Sequence, residues 1–184
     1  VTMATQDDSW RRWLALRAVR GVGPVVYQGL LRAFGDPGAV LAASGHALEC
    51  AGVRSEVARA IRAFDDWAAV DAQLERLAGS GTTLVTWNDS SYPANLREIH
   101  DPPPFLFVHG ELLPRDLMAV ALVGSRNVSA YGLRMTRELA EGLVRYGVTV
   151  ISGLARGTDA AAHWTTLRAG GRRVQALTFC TALA

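Results

Sequence analysis

The stretch from Ala119 to His163 decides the fold. It opens A-V-A-L-V-G-S-R at 119–126, passes through Tyr131-Gly132 into a helical pattern, and closes V-T-V-I-S-G-L-A-R-G-T-D-A-A-A-H at 148–163. Two short apolar runs, Ala119 to Val123 and Val148 to Ile151, each end in a glycine-bearing turn that opens a helix, which predicts a strand-helix-strand unit. Parallel strands joined by a right-handed crossover place both turns at one edge of the sheet. Open α/β sheets bind their ligands at that edge. The first turn reads Gly124-Ser125-Arg126 and the second Ser152-Gly153-Leu154-Ala155-Arg156-Gly157. Both offer backbone N–H groups and an arginine, so the expected ligand is an anion.

Downstream, a helix is expected from near Asp159 to Ala169, stopped by Gly170-Gly171, then a third run from Val174 to Phe179. Upstream, Ser9 is placed to cap a helix from Trp10 to about Val19, and Pro24 starts another that ends at Phe34 before Gly35. Between these two lies Val19-Arg20-Gly21-Val22-Gly23, similar to the turn of helix-hairpin-helix modules, and Ala47 to Val53 reads as a degenerate second hairpin. Asp36-Pro37 starts a short helix. Ser55 is expected to cap one long helix carrying Val57, Ile61, Phe64, Trp67, Leu74 and Leu77, ended by Gly79-Ser80-Gly81. Two β-rich runs follow, Thr82 to Trp87 and Phe105 to Val108, with Pro93 opening a brief helix between them and Pro102 to Pro104 forcing an extended approach to the second.

Composition excludes several classes. All 19 basic residues are arginine, so the lysine that a P-loop needs to reach nucleotide phosphates is absent. The longest apolar run, Leu117 to Val123, falls far short of the roughly 20 residues of a membrane span. No signal-like segment precedes it, and the expected location is the cytoplasm. Cys50 and Cys180 form no C-x-x-C pair, and the four histidines lack metal-ligand spacing, so neither a metal nor any other cofactor is expected. A net charge of +2 is too small to argue for nucleic acid by itself. Asp159 and His163 stand four apart on one helix, where Asp159 is expected to cap and His163 to brace the loop; no third ligand or nucleophile accompanies them.

The motifs V-G-S-R, Y-G, S-G-L-A-R-G-T-D-x-x-A-H and G-G-R before a strand, with S-Y-P and D-P-P-P-F-L-F-V-H-G upstream, together resemble the DNA-processing protein A (DprA/Smf) family from about Trp10 to Leu177. The resemblance implies a non-enzymatic protein with a Rossmann-like parallel sheet that binds single-stranded DNA. It also implies a homodimer that protects incoming DNA and helps load a RecA-type recombinase in natural transformation. Carried onto this chain, Arg126 matches the arginine that contacts the DNA backbone and Gly124 and Ser125 shape its turn. Ser152, Gly153 and Gly157 match the second turn of the same pocket, and Arg156 fills a variable basic position.

The organisation expected is therefore a small all-α helix-hairpin-helix or SAM-like module over 1–80, followed by a Rossmann-like α/β domain over 81–184 whose parallel sheet is incomplete. The tail T-F-C-T-A-L-A at 178–184 departs from the family's continuation, which reads as a fragment, a truncated product or a shifted frame. Two other functions compete. A nucleotide phosphoribohydrolase uses a similar loop after its second strand, but its P-G-G-x-G-T-x-x-E signature is missing here, as is the G-x-G-x-x-G of nicotinamide dehydrogenases. The N-terminal helices could alone form a duplex-DNA or protein-interaction module.

Overall fold

A computed structural model of the chain describes residues 3–177; the 178–184 tail, with Cys180 and the end of the third expected run, lies outside the described residues. The chain divides into two compact units, Val1–Leu112 and Leu113–Ala184.

Unit 1 begins with six helices: α1 (Met3–Ala18), α2 (Pro24–Phe34), α3 (Pro37–Ala42), α4 (Gly45–Cys50), α5 (Ser55–Arg62) and α6 (Trp67–Ser80). Ser9 does not cap α1 but lies inside it. The start and stop of α2 are as read, with Pro24 in the first turn and the Gly35 N–H closing on Leu31 O at 2.8 Å. Asp36 caps α3 by accepting from Gly38 N and Ala39 N. The expected long helix from Ser55 is broken in two. Asp66 accepts from Ala69 N and starts a new helix, while Phe64 and Trp67 pack edge to face at 5.3 Å across the break. The periodic apolar positions hid this break because both segments face the same core.

Two α-turn-α hairpins, α1–α2 and α4–α5, meet at Gly21. Its φ of +90° is open to glycine, and a Cβ there would sit 2.8 Å from Val57 Cγ2 of α5. Around this junction Leu14, Leu16, Val22, Tyr27, Leu30, Val40, Leu48 and Ile61 are buried.

The strands β1 (Thr82–Thr86) and β2 (Phe105–His109) pair antiparallel from Thr82↔His109 to Thr86↔Phe105, with the short α7 (Ala94–Arg97) between them. Phe105 packs edge-on to both Trp13 and Tyr27 at 6.4 Å, and Gln28 Nε2 donates to Pro102 O at 2.8 Å. These contacts bring the hairpin into unit 1 and move the boundary of compactness from the expected 80/81 to 112/113. A two-stranded ribbon cannot bury its own apolar face and takes its core from the nearest helices.

Unit 2 contains the three-stranded parallel sheet β3-β4-β5, built from Ala119–Ala121, Thr149–Ser152 and Arg173–Gln175. Val120 pairs with Val150 and Ile151 with Val174. The crossover helices α8 (Ala130–Arg145) and α9 (Thr158–Arg168) pack against each other and on β4. This is the strand-helix-strand arrangement expected, with a helical part before it. Among the described residues, no helix is long and apolar enough to cross a membrane.

Candidate functional site

The two glycine-bearing turns touch. Ser125 O accepts from both Thr158 N at 3.2 Å and Thr158 Oγ1 at 3.3 Å, which docks the first turn on the start of α9. Gly157 lies at φ +83°, and a Cβ on it would strike Ser125 O and come within 2.7 Å of Arg126 O. A Cβ on Gly124 would lie 2.6 Å from Thr158 Oγ1. Glycine is therefore required here by close backbone approach. One strand further in, Leu122 N donates to Ile151 O, and the Ser152 hydroxyl returns a 2.6 Å bond to Leu122 O.

Behind the second turn lie the two residues that could have suggested catalysis. Asp159 Oδ2 accepts from Ala155 N at 3.3 Å, so its carboxylate turns back onto the loop and does not cap α9, which starts without a side-chain cap at Gly157. His163 is 1% exposed and its Nε2–H donates to Ser152 O at 3.3 Å, the loop brace expected. Burial, the largest influence, pushes its pKa down and keeps the ring neutral. Within the second turn Leu154 holds φ +60°, a strained value for a bulky residue.

The seven residues read from sequence thus separate into two roles. Arg126 and Arg156 are exposed, one on each turn, and neither has an ion-pair partner among the described residues. Gly124, Gly153 and Gly157 set the close approach; a Cβ on Gly153 would lie 3.1 Å from Asp159 Oδ2. Ser125 Oγ accepts from Asn127 N and donates to Asn127 O, forming its own turn. Ser152 departs from expectation, for its buried hydroxyl is committed to Leu122 and does not line an open pocket. Thr158 N–H is likewise used between the turns and is not offered outward.

Sequence reasoning missed a cluster at the opposite, amino-terminal edge of the sheet. Asp116 forms a two-pronged ion pair with Arg172, accepts from Thr149 Oγ1 at 3.0 Å, and accepts from Leu113 N at 2.8 Å. The Arg172 hydrogen bonds bring the carboxyl down to about 2. This clamp ties the starts of β3, β4 and β5 together. The G-G-R preceding β5 was the only signal, and nothing pointed to its partner some 56 positions earlier.

Charge separates with the units. Residues 113–184 carry nine arginines against four carboxylates, and residues 1–112 carry ten against thirteen. The weak net charge of the whole chain conceals a basic unit 2 that holds both turns.

The unit is Rossmann-like, with two facing glycine turns and two arginines that have no ion-pair partner among the described residues, a geometry suited to holding an anion. The chain belongs to the DNA recombination-mediator protein A family, whose model matches residues 83–181. Protein Smf of Synechocystis is 34% identical over 180 residues, covering 95% of this chain and 45% of that protein. Protein Smf of Escherichia coli is 42% identical over 94 residues, 51% of this chain and 25% of that protein. The X-ray structure of DNA processing protein A from Streptococcus pneumoniae superposes with a TM-score of 0.70 at 25% identity, over 94% of this chain and 60% of that one. The chain spans less than half the length of these curated relatives.

Proposed function

We propose that unit 2 binds single-stranded DNA by its backbone at the two facing turns, with Arg126 and Arg156 holding phosphates. The observation that carries this reading is the pair of exposed arginines, without ion-pair partners among the described residues, on a close-packed two-turn frame in the unit that holds the chain's excess positive charge. A planar guanidinium grips a phosphate in two places, and a strand bound this way is recognised without a base code. Family membership supports the wider role: a cytoplasmic, non-enzymatic DNA-processing protein that protects incoming single strands and helps load a RecA-type recombinase in natural transformation, acting as a homodimer.

The test is titration of a single-stranded and a duplex oligonucleotide across a range of salt. The single strand binds better, and Arg126→Ala weakens it about tenfold, the scale of one charge-assisted hydrogen-bonded contact. The same substitution makes the log–log salt slope shallower by about 0.7, the release expected for one phosphate on a single strand. A folded Arg126→Ala protein with unchanged affinity and slope removes Arg126 from the interface. Release of free base from a nucleoside monophosphate, lost on mutating the 152–157 turn, would replace this reading with the ribohydrolase one.

A further inference from the structure

A groove of about 750 Å³ lies between α8 and α9. It begins at Val128 and Gly157, beside the two turns, and takes in Trp164, Arg137 and Arg168. Trp164 is 65% exposed, although the opposite face of α9 buries Ala162, His163 and Thr166. It is the one tryptophan of residues 113–184. Arg168 follows it by one helical turn, and Arg137 lines the groove from α8. Among the described residues neither arginine is ion-paired, and Glu141 is the one carboxylate on the lining.

We propose that this groove continues the single-strand path from the two turns, with Trp164 stacking on a base and Arg137 and Arg168 contacting the phosphates beside it. The proposal rests on the single-strand reading of the turns and extends it to a second contact zone. Gly157 belongs to both, so the two surfaces are continuous. The lining beside the indole includes Ala160, Ala161 and Ala169, small residues that let a flat ring approach. An acidic peptide would use the arginines but leave the indole idle. A single strand uses both, because aromatic platforms stack any base while cations track the backbone.

The experiment compares binding of the full chain to oligothymidylates of about 6 and about 20 nucleotides, one near the lower end of and one beyond the roughly 4–16 nucleotides that a single-strand-binding module covers. An abasic strand of the longer length completes the set. Trp164→Ala is expected to weaken the longer strand about tenfold and Trp164→Phe to restore most of that loss, the scale of one base–aromatic stack. The shorter and the abasic strands are expected to bind Trp164→Ala and wild type alike. Arg137→Ala with Arg168→Ala should make the salt slope for the longer strand shallower by about 1.4, two phosphates' worth. Full affinity of Trp164→Ala for the longer strand, while Arg126→Ala is weakened, would overturn the groove and leave the turns standing. Equal weakening of all three strands by Trp164→Ala would make the indole a structural support and overturn the stacking. If the wild type binds none of the strands, the single-strand reading itself fails, and the groove with it.

Discussion

Among the described residues, thirteen large apolar side chains are exposed; Val25 and Ile99 belong to unit 1 and the other eleven to unit 2. The buried sets are as unlike. Unit 1 encloses Trp13, Tyr27, Leu16, Leu30, Leu48 and Ile61, whereas the buried apolar residues of unit 2 are Ala140, Val150 and Ala162. Among the described residues its other buried side chains are polar: Thr136, Thr149, Ser152, Asp159, His163 and Thr166. Two of those hydroxyls bond back to their own helices, Thr136 to Gly132 O and Thr166 to Ala162 O, both at 2.8 Å. Unit 1 is held mainly by hydrophobic burial, which is insensitive to pH; its ion pairs, Arg11–Asp71 and Arg12–Asp8, lie on half-exposed surface where such pairs contribute little. Unit 2 is held to a much greater degree by hydrogen bonds and one clamped ion pair, whose strength depends on protonation.

The largest effect should separate the two exposure classes of one residue type. Trp13→Ala removes an indole stacked at 5.8 Å on Tyr27 and should cost unit 1 about 3–5 kcal/mol, whereas Trp164→Ala, in the open groove, should fall within about 0.5 kcal/mol. Hydrogen exchange under native conditions resolves the two, and comparable losses would erase the contrast in packing.

Next comes the clamp. With the Asp116 carboxyl at about 2 when folded and about 3.9 when unfolded, the folded state binds fewer protons in between, so the pair stabilises unit 2 fully above pH 4. That contribution, about 2 kcal/mol, should disappear as pH falls from about 4 to about 2. Asp116→Asn should remove it at neutral pH and flatten the acid limb. An acid limb unaltered by Asp116→Asn would assign the pH response to other carboxylates.

A smaller effect lies at milder pH. His163 is neutral and buried with its pKa lowered, so the unfolded chain takes up a proton first and stability should fall as pH drops below about 6.5. The protection of the α9 amides, with exchange corrected for its intrinsic pH dependence, should fall between pH 7 and 5.5 in the wild type and less so in His163→Gln. Equal pH dependence in the two proteins would show that the buried ring does not titrate in this window.

Local signals carried most of the architecture. The apolar runs, Pro24, Gly35, Asp36 and the glycines of both turns each act within a few residues, and each could be read where it stands. What escaped depended on distant partners. Phe105 finds its core on Trp13 and Tyr27, which moves the unit boundary; Asp116 meets Arg172 far along the chain; Ser152 loses its hydroxyl to Leu122. The division of α5 from α6 is different in kind. Asp66 caps α6, but it lies inside an uninterrupted apolar period, and the period concealed the break. For the candidate site, the juxtaposition of the turns was legible because topology dictates it; the side-chain hydrogen bonds that occupy part of it were not.

The contact of Gly157 with the Ser125 and Arg126 carbonyls separates the frame of the site from its charge. Any side chain at 157 would push the turns apart, while the arginines at 126 and 156 point into open solvent and could be exchanged without disturbing the backbone beneath them. Grip can thus be graded independently of shape. If the turns hold a strand as proposed, lysine or glutamine at 126 or 156 would shift the ionic strength over which it is held and released, so that one scaffold can be fitted to cells with very different internal salt.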